Sequence, residues 1–491
     1  MKKIIYTYFT PLIVCCLLCC CTKQQKNTVD FTEVEKNFKD IPADIQTSIY
    51  WYWINDNISK EAVIKDLHSM KEVGINRAFI GNIGLSPQEA PYGKVKIFTD
   101  EWWDIMHTAL KTATELNIEI GLFNSPGWSQ SGGPWIKPEQ AMRYLTYSEI
   151  KVKGPKKLQQ HLTEPTKDFQ DVKVIAMPVN KDYLINLLEK GTYTISPSNI
   201  KADLNTGKEL TFNDKEITID ITLPKEATAR SLVLYPAERP IRAKIELQVQ
   251  EGDSFKNIKQ FTLNRTNPAL NVGFEPYAPV AISLPEVKDQ KLRLVMEANP
   301  GSGIKRILLS PSPVMERFAE KSLAKMHQTP LPYWHDYLWD EQPDVTSYKM
   351  TQPDEILDIS GYMDDQGLLT WDVPEGEWII MRTGMTPTGV TNSPASPEGT
   401  GLEVDKMSKE HVASHFDAYL GMILERIPAD DRKTLKVAVQ DSYETGGQNF
   451  TDDFLKEFQK RYGYDPVPFL PVFKGHIIGS PDLSDRFLWD V

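Results

Sequence analysis

The chain has 491 residues, of which 41% are hydrophobic and 25% charged; this is the profile of a soluble globular protein of about two to four domains. Its formal net charge of -12 disfavours polyanionic nucleic acid as a partner. Cysteine occurs only as Cys15, Cys16, Cys19, Cys20 and Cys21, which excludes disulfides and thiolate metal sites from the body of the protein.

Residues 1–21, MKKIIYTYFTPLIVCCLLCCC, join a basic start (Lys2, Lys3) to an apolar run. The run is too short to cross a bilayer comfortably and reads as a signal peptide. A leucine three residues before a cysteine resembles the bacterial lipobox. Leu18 pairs in this way with Cys21, and Leu17 with Cys20, so lipidation is expected on Cys21 or Cys20. Residues 22–45 then form a tether. The expected location is the cell envelope, with membrane contact through the lipid anchor only.

A β-then-α rhythm follows. SIYWYWI (48–54) is an aromatic strand, with Asn55 and Asp56 at its carboxyl end. Ser59 caps a helix whose apolar face is Ala62, Val63, Leu67 and Met70, and Gly74 stops it. INRAFIG (75–81) is a second strand. A helix from Glu101 to Leu116 ends at Asn117, and IEIGLFN (118–124) is a third strand. Repeated β/α units with short connections predict a parallel sheet. The spacing suits a (β/α) barrel; a doubly wound sheet remains the alternative, although no Gly-rich phosphate loop follows the first strand.

The third strand runs into NSPGWSQSGGPWI, which carries Asn124, Trp128 and Trp135 among glycines and prolines. The functional reading is a substrate loop walled by indole rings. The structural reading is a rigid loop with tryptophan plugging the core. The chain is 10% aromatic with 11 Trp; indole faces stack on sugars, but tryptophan is common in cores as well.

From 146 to 315 short strands with turn signals replace the rhythm (YSEIKV, VKVIAMPV, EITIDIT, SLVLYP, AKIELQVQ, VAISLP, KLRLVMEA, IKRILLS). They predict a β-sandwich insertion that shapes the site or is only structural. His335, Asp336 and Asp340 sit among aromatics in PYWHDYLWDE, a pattern more often structural than ligating. A strand at 378–382 resumes the barrel pattern, and the loop TNSPASPEGTGLEVDKMS brings Glu403 and Asp405. Ser408 caps a long helix to Arg426. The strand LKVAV (435–439) then ends in Gln440, Asp441, Ser442, Tyr443 and Glu444, and Gly446 and Gly447 allow a sharp turn. Thr451 caps the helix that runs to Gly463.

Asp441 and Glu444 therefore fall at a strand's carboxyl end, where α/β proteins bind ligands. Carboxylates there serve acid/base work, sugar hydroxyls or a metal, or only complement the next helix dipole. No nucleophile elbow, HExxH or Walker motif is present. Carboxylates with aromatics on a barrel face suit glycoside hydrolysis.

The segments WYWINDNISKEAVIKDL, GLFNSPGWSQSGGPWIKPEQAMR, TNSPASPEGTGLEVDKMS, DSYETGGQNFTDDFLKEFQKRYGYDP and DRFLWDV resemble the glycoside hydrolase family 106 α-L-rhamnosidases. The resemblance runs from about residue 46 to the end, apart from the insertion. It implies a (β/α)8 catalytic barrel with β-sandwich insertions, inversion of the anomeric centre, calcium dependence, and action on rhamnosides of plant polysaccharides such as pectin. The family's D-S-W-E type motif falls on Asp441, Ser442, Tyr443 and Glu444, with Tyr443 where tryptophan is common; Glu444 is then the general acid. Glu403 and Asp405 become site residues for substrate or calcium, and Trp128 and Trp135 sugar contacts; the calcium ligands are not assigned.

The organisation expected is thus a barrel begun in 46–145, a sandwich in 146–315, and connection plus barrel continuation in 316–491. The resemblance also implies a longer chain, with the general base on a strand beyond this one, and so a poorly active piece. A related glycosidase for another sugar, and a non-catalytic surface glycan-binding lipoprotein, are the competing expectations.

Overall fold

The computed structural model describes residues 30–40, 45–197, 208–225, 227–326, 339, 341–343, 345 and 347–491. Cys20 and Cys21, and the trio His335, Asp336 and Asp340, lie outside the described residues. Among the described residues no helix is long and apolar enough to cross a membrane.

β1 (Ser48–Ile54), β2 (Arg77–Ile83) and β3 (Glu119–Phe123) alternate with the helices Lys60–Glu72 and Asp100–Leu116. Two long strands follow, β4 (Arg143–His161) and β5 (Gln170–Val179). Next come β6 (Thr192–Ser196), β7 (Leu210–Thr211), β8 (Glu216–Thr222), β9 (Ala229–Pro236), β10 (Ile241–Glu251), β11 (Ser254–Arg265), β12 (Val280–Val287), β13 (Lys291–Ala298) and β14 (Gly303–Ser310). β15 (Leu357–Asp358), β16 (Leu368–Pro387) and β17 (Leu435–Val439) complete the strands.

The parallel sheet has the order β1-β2-β3-β17. Its local signals act as read. The Ser59 hydroxyl accepts from the Ala62 amide at 3.1 Å, and Asn117 closes the second helix at φ 53°, a left-handed conformation that asparagine tolerates. One face of the sheet, with Trp51, Trp53, Ile80 and Leu122, packs on Leu67, Trp102 and Leu110 of the two helices. The other face carries the rings of Tyr50, Tyr52, Phe79 and Phe123. At Gly121 on that face a Cβ would collide with the Phe79 ring.

Among the described residues these four strands form an open sheet, with β1 and β17 at its edges. The expected strand at 378–382 is not among them. It belongs to β16, which pairs antiparallel with β4 from Leu368–His161 to Pro387–Arg143 and with β5 on its other side. The segments YSEIKV and VKVIAMPV, expected in the sandwich, lie in these partners. The reason for the misreading is physical. Both faces of β16 are covered: Trp371, Trp378 and Ile380 enter one apolar cluster, Ile379 and Met381 another. A strand covered on both faces gives an unbroken apolar run, which reads like a parallel-sheet strand.

Two further sheets, β11-β10-β13-β8-β6 and β12-β9-β14-β7, enclose one apolar cluster in which Ile217, Ile245 and Leu294 of the first meet Leu232, Ile282 and Leu309 of the second. Val233 and Leu308, on alternate positions of β9 and β14, join the cluster built by Met381, Phe450, Phe469 and Phe487 instead. The second sheet is therefore packed on both faces, and it is held against β4, β5 and β16 and the segment after β17.

Ser408 caps its helix, accepting from the His411 amide. The helix Lys409–Phe416 passes through a π-helical turn at Asp417–Gly421 before the segment Met422–Arg426. The turn seats Tyr419 under the parallel sheet, where its hydroxyl accepts from Asn82 Nδ2 at 2.9 Å. Thr451, expected as a cap, is differently employed: Asp453 is at the cap position of Phe454–Tyr462, and the Thr451 hydroxyl donates to Asp405 at 2.7 Å.

Candidate active site

A cavity of about 400 Å³ lies beside the carboxyl ends of β3 and β17. Its lining comes from separate stretches of chain. Trp128 and Ser129 stand on the loop after β3, and Ser442, Glu444 and Thr445 on the loop after β17. The segment Gly389–Thr391 and Ser393 come from the loop after β16, and Leu270 and Asn271 from the loop between β11 and β12. Of the acids expected from sequence, Glu444 is the one on this wall, with its Oε1 accepting from the Ser442 hydroxyl at 3.1 Å.

Trp128 is 36% exposed, and its ring rests against Tyr52 at a centroid distance of 5.8 Å. Gly127 makes this placement feasible: its φ is +85°, and a Cβ there would meet the Pro394 carbonyl at 2.9 Å. Ser129 locks the loop to its neighbour. Its hydroxyl donates to the Ser393 carbonyl at 3.0 Å and accepts from the Ser393 amide at 2.8 Å. Buried Asn392 ties the same loops together through the carbonyls of Pro126 and Gly399 and the amide of Gly401. Asp441 is half-buried and accepts from the Ser442 amide at 2.8 Å. Burial raises the Tyr52 pKa, and Tyr50 and the Asp441 charge add to the rise.

The remaining expected residues sit behind the wall. Glu403 is 1% exposed. Its Oε2 accepts from the Ser131 hydroxyl at 2.6 Å and from Lys406 Nζ at 2.7 Å, while its Oε1 is buried without a partner. Burial pulls the Lys406 ammonium below its ordinary pKa, against the opposing pull of Glu403. Asn124 is also buried, and neither amide atom has a partner. Buried polar atoms are nearly always paired, so these unpartnered atoms stand out among the buried groups.

Trp135 does not face the cavity. It stacks on Tyr419 at 5.6 Å with an interplanar angle of 9°, and its indole N–H donates to His415 Nδ1 at 3.1 Å. The core-plug reading of this tryptophan is the one its packing supports. Burial drives the His415 pKa down to about 4.

Asp405 is likewise structural in position. It is fully buried against Arg143 at 2.9 Å, and it accepts from Thr451 and Gln448, both at 2.7 Å, and from the Met407 amide at 2.9 Å. Arg143 also reaches Asp452 at 2.7 Å, and Asp452 meets His411 at 2.8 Å. The donor atoms of Asp405, His411 and Asp452 lie within 4.8 Å of one another, so this is the group to test against calcium. It does not fit. Calcium takes about 6–8 oxygen ligands, one of the three groups here is an imidazole, and the Arg143 guanidinium is already ion-paired with both carboxylates.

An acid and an indole face on the wall of a cavity at parallel strand ends is the arrangement of a glycoside hydrolase. The chain belongs to the family Glyco_hydro_106, alpha-L-rhamnosidase, whose model matches residues 39–491. It is similar to the solved rhamnosidase from Novosphingobium sp. PP1Y, with 26% identity and a TM-score of 0.76 over 93% of this chain and 44% of that one. It is also 27% identical over 464 residues to a putative beta-glucuronidase of Formosa agariphila, covering 94% of this chain and 28% of that protein. The chain thus spans less than half the length of either relative.

Leu270, Asn271 and the Gly389–Val390 segment are the wall residues that sequence reasoning missed. Leu270 and Asn271 sit in the connection between β11 and β12, and no chemical motif marks them. The 389–393 stretch adjoins the loop singled out for Glu403, and Ser393 was inside it.

Proposed function

We propose that this chain carries the acid side of an α-L-rhamnosidase site, acting on rhamnose-containing plant polysaccharides of the pectin type with inversion. The observation that carries the reading is the wall of the cavity. Glu444 shares it with the partly exposed face of Trp128, and among the described residues that line it there is no lysine or arginine. A uronide would bring a carboxylate that needs a cationic or strongly donating partner in a confined site. A neutral deoxy sugar needs none. The same wall therefore favours the rhamnosidase relative over the glucuronidase relative as the guide to substrate.

In the proposed reaction Glu444, protonated, donates its proton to the glycosidic oxygen as the bond to the anomeric carbon breaks. Trp128 offers its face to the C–H side of the sugar ring. Inversion requires a second carboxylate, about 6.5–9.5 Å from the first, to activate water on the opposite face. Among the described residues lining the cavity Glu444 is the one carboxylate, so the base is supplied from outside this wall; Glu403 is tied to Ser131 and Lys406. The open parallel sheet is read as part of a (β/α)8 barrel, and the chain as held at the cell envelope through Cys20 or Cys21.

The test is release of L-rhamnose from an aryl α-L-rhamnoside and from pectic oligosaccharides by the chain and by Glu444→Gln. Weak release that Glu444→Gln abolishes, with the β-anomer released first by NMR, is the expected result. Full activity in the variant would remove Glu444 from the acid role. Binding of rhamnosylated oligosaccharide without release would mean that the chain keeps part of the site without its base, and neither binding nor release would refute the reading.

A further inference from the structure

The cavity has one wall that comes from outside the α/β part of the chain. The loop between β11 and β12 turns through Leu270–Val272. It buries Val272 and leaves Leu270 38% exposed. The loop is held from behind: Arg265 Nε donates to the Ala278 carbonyl at 2.8 Å, Lys325 Nζ to the Asn267 carbonyl at 2.5 Å, and the Met326 amide to the Val272 carbonyl at 2.6 Å. Two glycines let it close on the site. A Cβ at Gly389 would lie 3.2 Å from Leu270 Cδ1, and one at Gly446, where φ is +77°, would lie 3.0 Å from the Asn271 carbonyl. Leu270 is thus an apolar side chain fixed over Gly389, on the same wall as Glu444.

Its neighbours define what it can read. Among the described lining residues the aliphatic ones are Leu270 and Val390, and Val390 is nearly covered, at 8% exposure. Leu270 is therefore the aliphatic surface the cavity offers to a ligand. A 6-deoxyhexose has one purely apolar substituent, the methyl group on C5. Its 6-hydroxy counterpart carries a hydroxymethyl there, and a uronic acid a carboxylate. Burying a methyl against an alkyl surface gains about 0.8 kcal/mol per carbon, whereas an unpaired hydroxyl or carboxylate in that place is penalised.

We propose that Leu270 is a specificity-determining residue, seating the C5 methyl of a 6-deoxy sugar whose glycosidic oxygen faces Glu444. The proposal rests on the rhamnosidase reading of the cavity and adds to it the group that selects the sugar. It also gives the β11–β12 loop a role in recognition in addition to packing.

The experiment compares methyl α-L-rhamnoside with methyl α-L-mannoside, which differs only by the hydroxyl on that methyl. Dissociation constants are measured by NMR titration for the full chain, for Leu270→Ser, and for Leu357→Ser, an equally exposed leucine on β15 that does not line the cavity. A hydrophobic pocket rejects an added hydroxyl by about 10–100-fold, so the unmodified chain is expected to prefer the rhamnoside by that factor. Leu270→Ser should reduce the preference to a few-fold by weakening the rhamnoside, and Leu357→Ser should leave it intact. Preference retained in Leu270→Ser, or no preference in the unmodified chain, would overturn the proposal while leaving the rhamnosidase reading standing. Failure of the unmodified chain to bind either glycoside would overturn that reading, and this proposal with it.

Discussion

Lys406 Nζ lies 2.7 Å from Glu403 Oε2, with the glutamate side chain fully buried and the lysine 16% exposed. Removing one partner of a buried pair leaves an uncompensated charge, at a cost of about 3–5 kcal/mol. Lys406→Met is therefore expected to lower the unfolding free energy by about 3–5 kcal/mol, read from urea denaturation. Adding Glu403→Gln to it should recover part of that loss. Equal stability of Lys406→Met and the unmodified chain would mean that the pair is not formed in solution.

The pair also shows what the sequence could and could not disclose. GLEVDK marks Glu403, Asp405 and Lys406 as charged residues in one loop, and nothing in the spacing separates a site acid from a scaffold acid. Burial separates them: Asp405 accepts several hydrogen bonds around Arg143, while Glu403 keeps one oxygen without a partner. The parallel strands β1, β2, β3 and β17 were legible because their caps and helix stops are local. The placement of 378–382 was not, because an apolar run does not say whether its partners are parallel or antiparallel. Leu270 was invisible for another reason. Its role depends on the loop between β11 and β12 meeting Gly389 and Gly446, segments more than a hundred residues apart in the chain.

The two loop tryptophans should respond oppositely to truncation. Trp128 lines the cavity, and an aromatic contact there is worth about 0.5–1.5 kcal/mol. Trp128→Ala is expected to weaken methyl α-L-rhamnoside binding by about 2–10-fold with little change in melting temperature. Trp135 is partly buried and stacks on Tyr419 against the core, so Trp135→Ala should cost about 2–4 kcal/mol of stability. Calorimetric melting and NMR titration on both variants check the contrast, and reversal of the pattern would exchange their roles.

Asp405 gives a prediction about calcium. Because Arg143 is already ion-paired with Asp405 and Asp452, Asp405→Ala should destabilise the chain by about 3–5 kcal/mol, since it removes a buried partner of the guanidinium and the acceptor of Thr451, Gln448 and the Met407 amide. Any rise in melting temperature on adding millimolar calcium should be the same in the variant as in the unmodified chain. A calcium-dependent rise present in the unmodified chain and absent from Asp405→Ala would make this cluster a metal site after all.

His415 sets a pH window for stability. Burial holds its folded pKa at about 4, below the ordinary 6.5, so the folded state keeps the imidazole neutral while the unfolded chain takes up a proton first. Stability then falls as protons bind the unfolded state. The contribution is fully present above about pH 6.5, declines as pH drops toward 4, and declines no further below that. A gap of this size corresponds to about 3 kcal/mol at most. The groups around the ring explain the direction. Trp135 donates to Nδ1, Tyr419 packs in the same stack through Trp135, and the Lys406 charge opposes protonation. Urea midpoints from pH 7 to pH 4 should therefore fall more steeply for the unmodified chain than for His415→Asn. Glu149, held down to about 2 by His476 and Lys474 against its burial, loses its own contribution below about pH 4.5 in both proteins and cancels in the comparison. Identical slopes would mean that His415 is solvated and titrates normally.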